Sequence, residues 1–412
     1  MDKVAQVEAK LHKYVAPNYN PLPFVPHHCN GVWITGYQRG NDDLYRVLDM
    51  TSTYSALNLG HNHQDITRLK IKRLQLNKPS KTSRGIVMSE EVADFAEALC
   101  KACGMEMMIP KNTGTEAFDT AVKTARLWKK TAAGRVGDNS EIIVCAHAFH
   151  GRSIGATDAS SEPLYRDGFG PFAPPRAFRK IPYGDIEALQ RAINRFTAAF
   201  IVEPIQAEAG IVMPPYGYLQ EAKRVCKENG VLCILDEIQT GLGRTGDFFA
   251  WQNEGLDAEP DGILLGKFLG GGEEKISAFV SSRDVLGVLT LGREGSTFGG
   301  DPSSCVLGMK ALELLTPKLL CHVRNEGMWF MNMLRTIPSP LIKDIRGRGL
   351  LIGLELTPEA GGARRFCEAL LLEGLLCKET HDDVIRFAPP LIVTREELLW
   401  AFRRIERVLK TN

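Results

Sequence analysis

Val231-Leu-Cys-Ile-Leu-Asp236-Glu-Ile-Gln239-Thr-Gly241-Leu-Gly243-Arg-Thr-Gly246, followed by Asp261-Gly-Ile-Leu-Leu-Gly-Lys267, decides how this chain of 412 residues is read. Val231–Leu235 and Ile263–Leu265 are short, continuous apolar runs. Runs of that kind are buried strands of a parallel sheet, covered on both faces. The first run ends in an acid and the second in a lysine. In open α/β sheets the carboxyl ends of the strands border the crevice that takes the ligand.

A carboxylate and an amine on neighbouring strand ends suit pyridoxal 5′-phosphate (PLP). Lysine forms its Schiff base, and a carboxylate keeps the pyridinium nitrogen protonated so that the ring accepts electrons. Singly, a strand-end Asp is more often a cap or turn former, and a lone lysine a solvated charge. Lys267, however, stands between Leu264-Leu265-Gly266 and Gly270-Gly271-Gly272, where desolvation would lower its pKa as imine formation requires. Gly241-Leu-Gly243-Arg-Thr-Gly246 matches G-x-G-x-x-G, the dinucleotide-binding string. That fingerprint should follow its strand at once and lead to a second strand ending in an acid. Here Asp236 to Thr240 intervene and the next strand ends in lysine, so the string is read as a glycine-rich loop.

Apolar residues make up 44% and charged residues 24%, the composition of a soluble globular protein. Fifty basic against forty-nine acidic residues give +1, which offers no electrostatic case for nucleic acid or membrane. No apolar run reaches the length of a membrane span. Met1 to Lys10 has neither a signal-peptide core nor an Arg-rich presequence, so a cytoplasmic location is expected, with a trimmed transit peptide the alternative. The ten cysteines are scattered. Cys145 and Cys233 lie in apolar runs as small hydrophobes. Cys100-Lys-Ala-Cys103 closes an amphipathic pattern and reads as helix packing, with a zinc or redox site the lesser reading.

Between Met107 and Ser282 strands alternate with helices, which predicts an α/β fold with a mostly parallel sheet. Expected strands are 142–146, 198–202, 231–235, 263–265 and 276–281. Expected helices are 115–131, 186–196 and 218–229. Residues 1–50 carry a short helix, the extended Pro17–Pro23 and a hairpin around Gly40. Thr51–His63 is a polar loop, followed by helical segments to about Asn77 and from Ser89. The tail holds a helix from Ser303, strands at 349–356 and 384–387, and helices at 363–373 and 395–410. The expected division is an N-terminal segment (1–50) that joins a smaller α+β domain (301–412), with the large cofactor-binding domain at 51–300.

Several loops carry chemistry-bearing residues. Asn112-Thr-Gly114-Thr115-Glu116 opens a helix and is either an anion site or a plain cap. Phe149-His150-Gly151-Arg152 follows a strand: the aromatic would stack on a flat ring or fill the core, and the arginine could clamp a carboxylate. Glu203-Pro-Ile-Gln206-Ala-Glu208 offers two acids for the site or for surface cations. Ser296-Thr297-Phe-Gly299-Gly300 could bind phosphate through hydroxyls and amides. Arg386 ends an apolar run and is either a carboxylate receptor or the partner of a buried acid.

Taken together, Asn112-Thr-Gly-Thr-Glu-Ala, His150-Gly-Arg, Glu203-Pro-Ile-Gln, Asp236-Glu-Ile-Gln-Thr-Gly, Gly266-Lys267 and Ser296-Thr-Phe-Gly-Gly resemble the class III (subgroup II) aminotransferases of PLP-dependent fold type I. The match spans nearly the whole chain. Asn18-Tyr19-Asn-Pro-Leu-Pro, Ser52-Thr-Tyr54-Ser-Ala-Leu-Asn, Asp167-Gly-Phe-Gly-Pro-Phe172 and Thr380-His-Asp-Asp-Val-Ile-Arg386-Phe-Ala-Pro-Pro look most like the ornithine-using branch of that family. The resemblance implies PLP held by Lys267, with Asp236 at its ring nitrogen, Phe149 stacked on it and Gln239 at its phenolic oxygen. Gly114 and Thr115 would hold the phosphate, with Ser296 and Thr297 reaching in from a second subunit, which implies a homodimer. Tyr19, Tyr54 and Arg152 would receive the distal end of an amino-acid substrate. Glu208 would mask Arg386 in one half-reaction and release it to a keto acid in the other. Acetylornithine, 4-aminobutyrate and lysine ε-aminotransferases are the near alternatives, and an aminomutase or a non-catalytic scaffold the distant ones. The chain departs from the family pattern at Glu273-Glu-Lys275, at Asp301 in place of Asn, and in a small insertion at Gly40–Asp43.

Overall fold

The computed structural model describes residues 2–133, 139–172, 177–255 and 259–411. Strands β1 (Phe24–Asn30), β2 (Trp33–Gln38) and β3 (Asn41–Asp49) form an antiparallel meander. Gly40 makes the tight β2–β3 turn with φ 77°, a conformation that costs glycine little.

The central sheet has seven strands. They are β4 (Met107–Lys111), β5 (Glu141–Cys145), β6 (Phe178–Ile181), β7 (Thr197–Val202), β8 (Leu232–Asp236), β9 (Gly262–Leu265) and β10 (Ser277–Ser281). Their spatial order is β4-β10-β9-β8-β7-β5-β6, and only β10 runs against its neighbours. Every residue of β5, β7 and β8 is buried. Alternate side chains enter two separate cores. Ile143, Phe200, Cys233, Leu235 and Ile263 join the larger one, while Ile142, Val144, Ile201, Ile234 and Leu264 join the other. A sheet with apolar cores on both faces explains runs without alternation. Helix Gly114–Ala133 covers part of the second face. Truncating Ile201 or Ile234 to Ala would cost about 2–5 kcal/mol.

The tail adds β11 (Ile342–Arg348), β12 (Leu351–Leu356), β13 (Leu375–Leu376), β14 (Lys378–Thr380) and β15 (Val384–Phe387). β11-β12-β15-β14 form an antiparallel sheet, while β13 pairs with β3, Leu375 opposite Leu48, so residues from both ends of the chain share one sheet. Among the described residues no helix is long and apolar enough to cross a membrane.

The expected strands and helices recur within a residue or two at most of their ends. The helix expected over 186–196 is shorter, Ile186–Ala192. Asn194 breaks it: its side-chain oxygen accepts the Phe196 amide at 2.8 Å and its amide donates to Glu141 at 2.9 Å. β4, β6, β11 and the helix Pro317–Arg335 were not marked by the sequence pattern.

Candidate active site

β9, β8, β7 and β5 are parallel neighbours, so their carboxyl ends open on one edge of the sheet. From these ends leave Lys267, Asp236 to Gln239, Glu203 to Glu208, and Phe149 to Arg152. Of these, Lys267, Asp236, Gln239, Glu203, Glu208, Phe149 and His150 line a cavity of about 180 Å³ together with Gly114 and Thr115. The residues that the strand-end argument singled out therefore meet in one place.

Lys267 stands one glycine beyond β9 and holds a left-handed backbone, φ 46°. A non-glycine residue in that conformation carries strain of the kind that concentrates at functional sites. Its Nζ donates to Gln239 Oε1 at 2.7 Å. Burial, followed by the nearby charge of Arg386, lowers its pKa from 10.5 to about 8. Asp236 Oδ2 pairs with His150 Nδ1 at 2.7 Å, and Asp236 Oδ1 accepts the Ile238 amide at 3.1 Å.

His150 is a site residue to which the sequence reading gave no role of its own. Its ring lies flat on Phe118, centroids 4.7 Å apart and planes 4° from parallel. Burial disfavours its charge, but the bond to Asp236 and the charges of Asp236 and Glu203 outweigh burial and raise its pKa. The available signal was its place beside Phe149 at a strand end. His150 Nε2 and Gln239 Nε2 are buried without a protein partner among the described residues, and both side chains line the cavity. Buried polar atoms of this kind call for a ligand or water.

Glu203 supports the site from behind. Its carboxylate accepts the Phe149 amide at 3.0 Å, while Tyr183 Oη donates to the Glu203 and Pro204 carbonyls at 3.2 and 2.8 Å. Burial pushes its pKa up to about 7, against the opposing pull of His150.

At the other end of the cavity Glu116 accepts the Asn112 and Thr113 amides at 3.1 and 2.7 Å. The first amides of helix Gly114–Ala133 have no intrahelical acceptor and make up the positive end of the helix dipole. A Cβ on Gly151 would meet Thr115 Oγ1 at 2.3 Å, so glycine is needed for that close approach. Ser296 and Thr297 lie outside the cavity in this chain. Ser296 Oγ accepts from Asn112 Nδ2 and from the Gly299 amide, both at 3.0 Å, and Thr297 is exposed.

Glu208 and Arg386 form an ion pair, Oε2 to Nη1, at 3.0 Å. Burial works against the Glu208 charge, but Arg386 outweighs it and the pKa falls below the ordinary value. Arg386 also lies 4.8 Å from the centre of the Tyr54 ring. Tyr54 belongs to a left-handed turn, Ser52 to Ser55, with φ of 39°, 50°, 58° and 68°. Asp49 Oδ1 holds that turn by accepting the Thr51 and Ser52 amides at 2.8 and 2.9 Å. Arg244, from the glycine-rich string, donates to Ser52 Oγ, Asn58 Oδ1, Leu350 O and Pro389 O at 2.9, 2.6, 2.9 and 2.5 Å. The string opens no α-helix, the next element being the short 3-10 helix Ala250–Glu254, and it serves as a loop tying three segments together. Tyr19 and Tyr54 share a second cavity of about 390 Å³. Arg152 lines neither cavity, and its guanidinium lies over the Tyr165 ring at 3.8 Å.

Two departures from the family pattern are charge-compensated. Lys70 lies 3.4 and 3.3 Å from Glu273 and Glu274, and Lys81 lies 3.0 Å from Asp301. Asp301 itself caps a helix by accepting the Ser304 amide at 3.0 Å.

The model of the family described as Aminotransferase class-III matches residues 14–409. The ornithine aminotransferase of Bacillus subtilis (strain 168) is 47% identical over 411 residues, covering 100% of this chain and 99% of the relative. The solved structure of a Toxoplasma gondii ornithine aminotransferase, described with PLP partially occupying its active site, superposes with a TM-score of 0.92. It is 35% identical and the match covers 98% of this chain and 94% of that one. An acetylornithine aminotransferase from Elizabethkingia anophelis superposes with a TM-score of 0.86 at 34% identity, over 99% of each chain. Backbone likeness therefore assigns the fold, while the donor has to be read from side chains.

Proposed function

The chain belongs to the class III aminotransferases, and from that premise we propose that it transfers the δ-amine of L-ornithine to 2-oxoglutarate. The products would be L-glutamate and glutamate-5-semialdehyde, which cyclises to pyrroline-5-carboxylate. One observation carries the choice of a terminal amine over an α-amine, the Glu208–Arg386 pair at 3.0 Å beside Lys267, and the 47% identity to an ornithine aminotransferase favours ornithine among such donors. Ornithine reacts at a carbon without a carboxylate. An open Arg386 would draw its α-carboxylate and bring the wrong amine to Lys267. Glu208 occupies that receptor until a keto acid with a carboxylate at the reacting carbon displaces it.

PLP fits the residues present. Asp236 offers an anion for a pyridinium, Phe149 an aromatic face, Gln239 a buried amide with an unpartnered N–H group, and Gly114 with Thr115 a helix N-terminus for a phosphate. When bound, PLP supplies the electron sink that stabilises a carbanion. Lys267 would hold it, and its Nζ is the group that would move the proton at the reacting carbon. His150 orients Asp236 through Nδ1, and Glu203 anchors the Phe149 segment. Tyr19 and Tyr54, which share the second cavity, would form the distal substrate end, with Arg152 reaching it only by leaving the Tyr165 ring.

Ser296 and Thr297 would complete the phosphate site of a second subunit. The consecutive exposed apolar side chains Ile86, Val87 and Met88 support a homodimer, because contiguous exposed apolar surface marks interfaces. Residues 51–300 would make the large cofactor-binding domain, and 1–50 with 301–412 the smaller one. A donor panel with 2-oxoglutarate tests the assignment: ornithine should exceed N-acetylornithine, lysine and 4-aminobutyrate in kcat/KM. A different preferred donor would overturn it.

A further inference from the structure

The small antiparallel sheet carries two arginines in one row, and the mechanism uses only one of them. In the register of β11, β12 and β15, Arg346 stands opposite Gly353, and Gly353 opposite Arg386. Opposed residues project from the same face of a sheet. Both guanidinium groups therefore leave one face, with a glycine between them. Gly353 gives up the space above it to the turn that follows β7: a Cβ there would meet Ile211 Cβ at 3.1 Å and Gly210 O at 3.3 Å.

That turn carries Glu208. Gln206 and Val212 close it, their amides donating to each other's carbonyls at 3.1 and 2.9 Å. Gly210 and Ile211 take positive φ, 106° and 55°. For a β-branched residue such a backbone is strained and persists only where the surroundings fix it. Arg346 does so. Its Nε donates to the Gly210 and Ile211 carbonyls, both at 3.1 Å, and Nη2 donates to Gly210 O at 2.7 Å. Arg346 Nη1 in turn donates to Asp344 at 3.0 Å and to Glu355, which set its orientation. Thr380 Oγ1, from β14, donates to Glu208 O. The turn is thus tied to the sheet on both sides of Ala209, and Glu208 Oε2 comes to rest 3.0 Å from Arg386.

We propose that Arg346 is a positioning residue for the choice between the two substrate classes: it holds the 206–212 turn against the row that carries Arg386 and so keeps Glu208 over that receptor. Thr380 assists from the other side of the turn. This role rests on the masking of Arg386 by Glu208 described above, and it sets how firmly the mask is held. Without Arg346 the turn relaxes, the ion pair loosens, and Arg386 opens to carboxylates that otherwise have to displace Glu208.

The test compares the wild-type holoenzyme with Arg346→Gln, Arg346→Lys, Thr380→Val, Glu208→Ala and the double variant Arg346→Gln/Glu208→Ala. Rapid mixing gives the ratio of the single-turnover rates with ornithine and with glutamate. Calorimetry measures the binding of glutarate, an unreactive dicarboxylate. Arg346→Gln should lower the ornithine-to-glutamate ratio roughly three- to tenfold and tighten glutarate by a similar factor. Thr380→Val should move both quantities the same way by less. Arg346→Lys, which keeps a charged donor for Gly210 O, should recover part of the ratio. In the Glu208→Ala background, Arg346→Gln should change neither quantity further, because no carboxylate is left to position. General damage to the fold would instead slow both halves alike, weaken glutarate and add to the effect of Glu208→Ala. That pattern, or an unchanged ratio in both Arg346→Gln and Thr380→Val, would overturn the proposal. An unchanged ratio in Glu208→Ala would remove the masking itself and the role of Arg346 with it, whereas a shift in Glu208→Ala without one in Arg346→Gln and Thr380→Val would remove the role of Arg346 alone.

Discussion

Replacing Glu208 by Ala should erase the difference between the two half-reactions. In the wild-type chain its carboxylate occupies Arg386 at 3.0 Å, with the two side chains 32% and 4% exposed. The substitution leaves a buried guanidinium beside Tyr54, open to any incoming carboxylate. A charge-assisted bond in such a place contributes about 1.5–3 kcal/mol. Since Glu208 is nearly a third exposed, solvent screening puts the effect at the low end of that range. At about 1.4 kcal/mol per factor of ten, the preference for ornithine over glutamate as donor should fall by roughly tenfold. Rapid mixing of holoenzyme with each amino acid in turn measures each half-reaction as a single turnover. In Glu208→Ala the glutamate half should accelerate and ornithine should begin to react at its α-amine. In Arg386→Ala the 2-oxoglutarate half should slow far more than the ornithine half. Equal slowing of both halves in Arg386→Ala, or an unchanged ornithine-to-glutamate ratio in Glu208→Ala, would refute the reasoning.

Asp236→Asn removes the anion at the ring nitrogen and leaves His150 Nδ1 without its charged partner, so single-turnover rates should fall at least about tenfold; an unchanged rate would make Asp236 structural. Attachment of PLP to the apoprotein needs neutral Lys267, so its rate should rise with a midpoint near pH 8, well below 10.5. In Arg386→Ala, which removes a neighbouring positive charge, that midpoint should move upward. The same depression gives the folded state fewer protons than the unfolded state between about pH 8 and 10.5; apoprotein stability should gain from this group as pH rises through that window, a gain absent from Lys267→Met. If Ser296 and Thr297 complete the site of a second subunit, dilution to monomers should release PLP, which ultracentrifugation with absorbance detection would follow.

The sheet was legible because its strands are buried on both faces. Val231–Leu235 could not be read as amphipathic, and the charges that end such runs had one crevice to enter. Lys267, Asp236, Phe149 and Gln239 accordingly meet in one cavity. β4 escaped notice because Pro110 interrupts it, and β11 because Lys343, Asp344, Arg346 and Arg348 dilute its apolar pattern. His150 escaped for a different reason: its partner, Asp236, is 86 residues away, and only the fold brings them together. The left-handed turn carrying Tyr54 has no glycine to announce it; it is held by Asp49 and by Arg244, 192 residues beyond Ser52. Long-range polar bonds of this kind leave no local periodicity.

Regiochemistry tests the central claim most directly. The enzyme, given 2-oxoglutarate and ornithine labelled with ¹⁵N at the δ position, should deliver the label to glutamate, while ornithine labelled at the α position should yield unlabelled glutamate and labelled pyrroline-5-carboxylate. Mass spectrometry reads both products. Label reaching glutamate from the α-nitrogen would show that Arg386 receives ornithine's carboxylate despite Glu208, and would contradict the account.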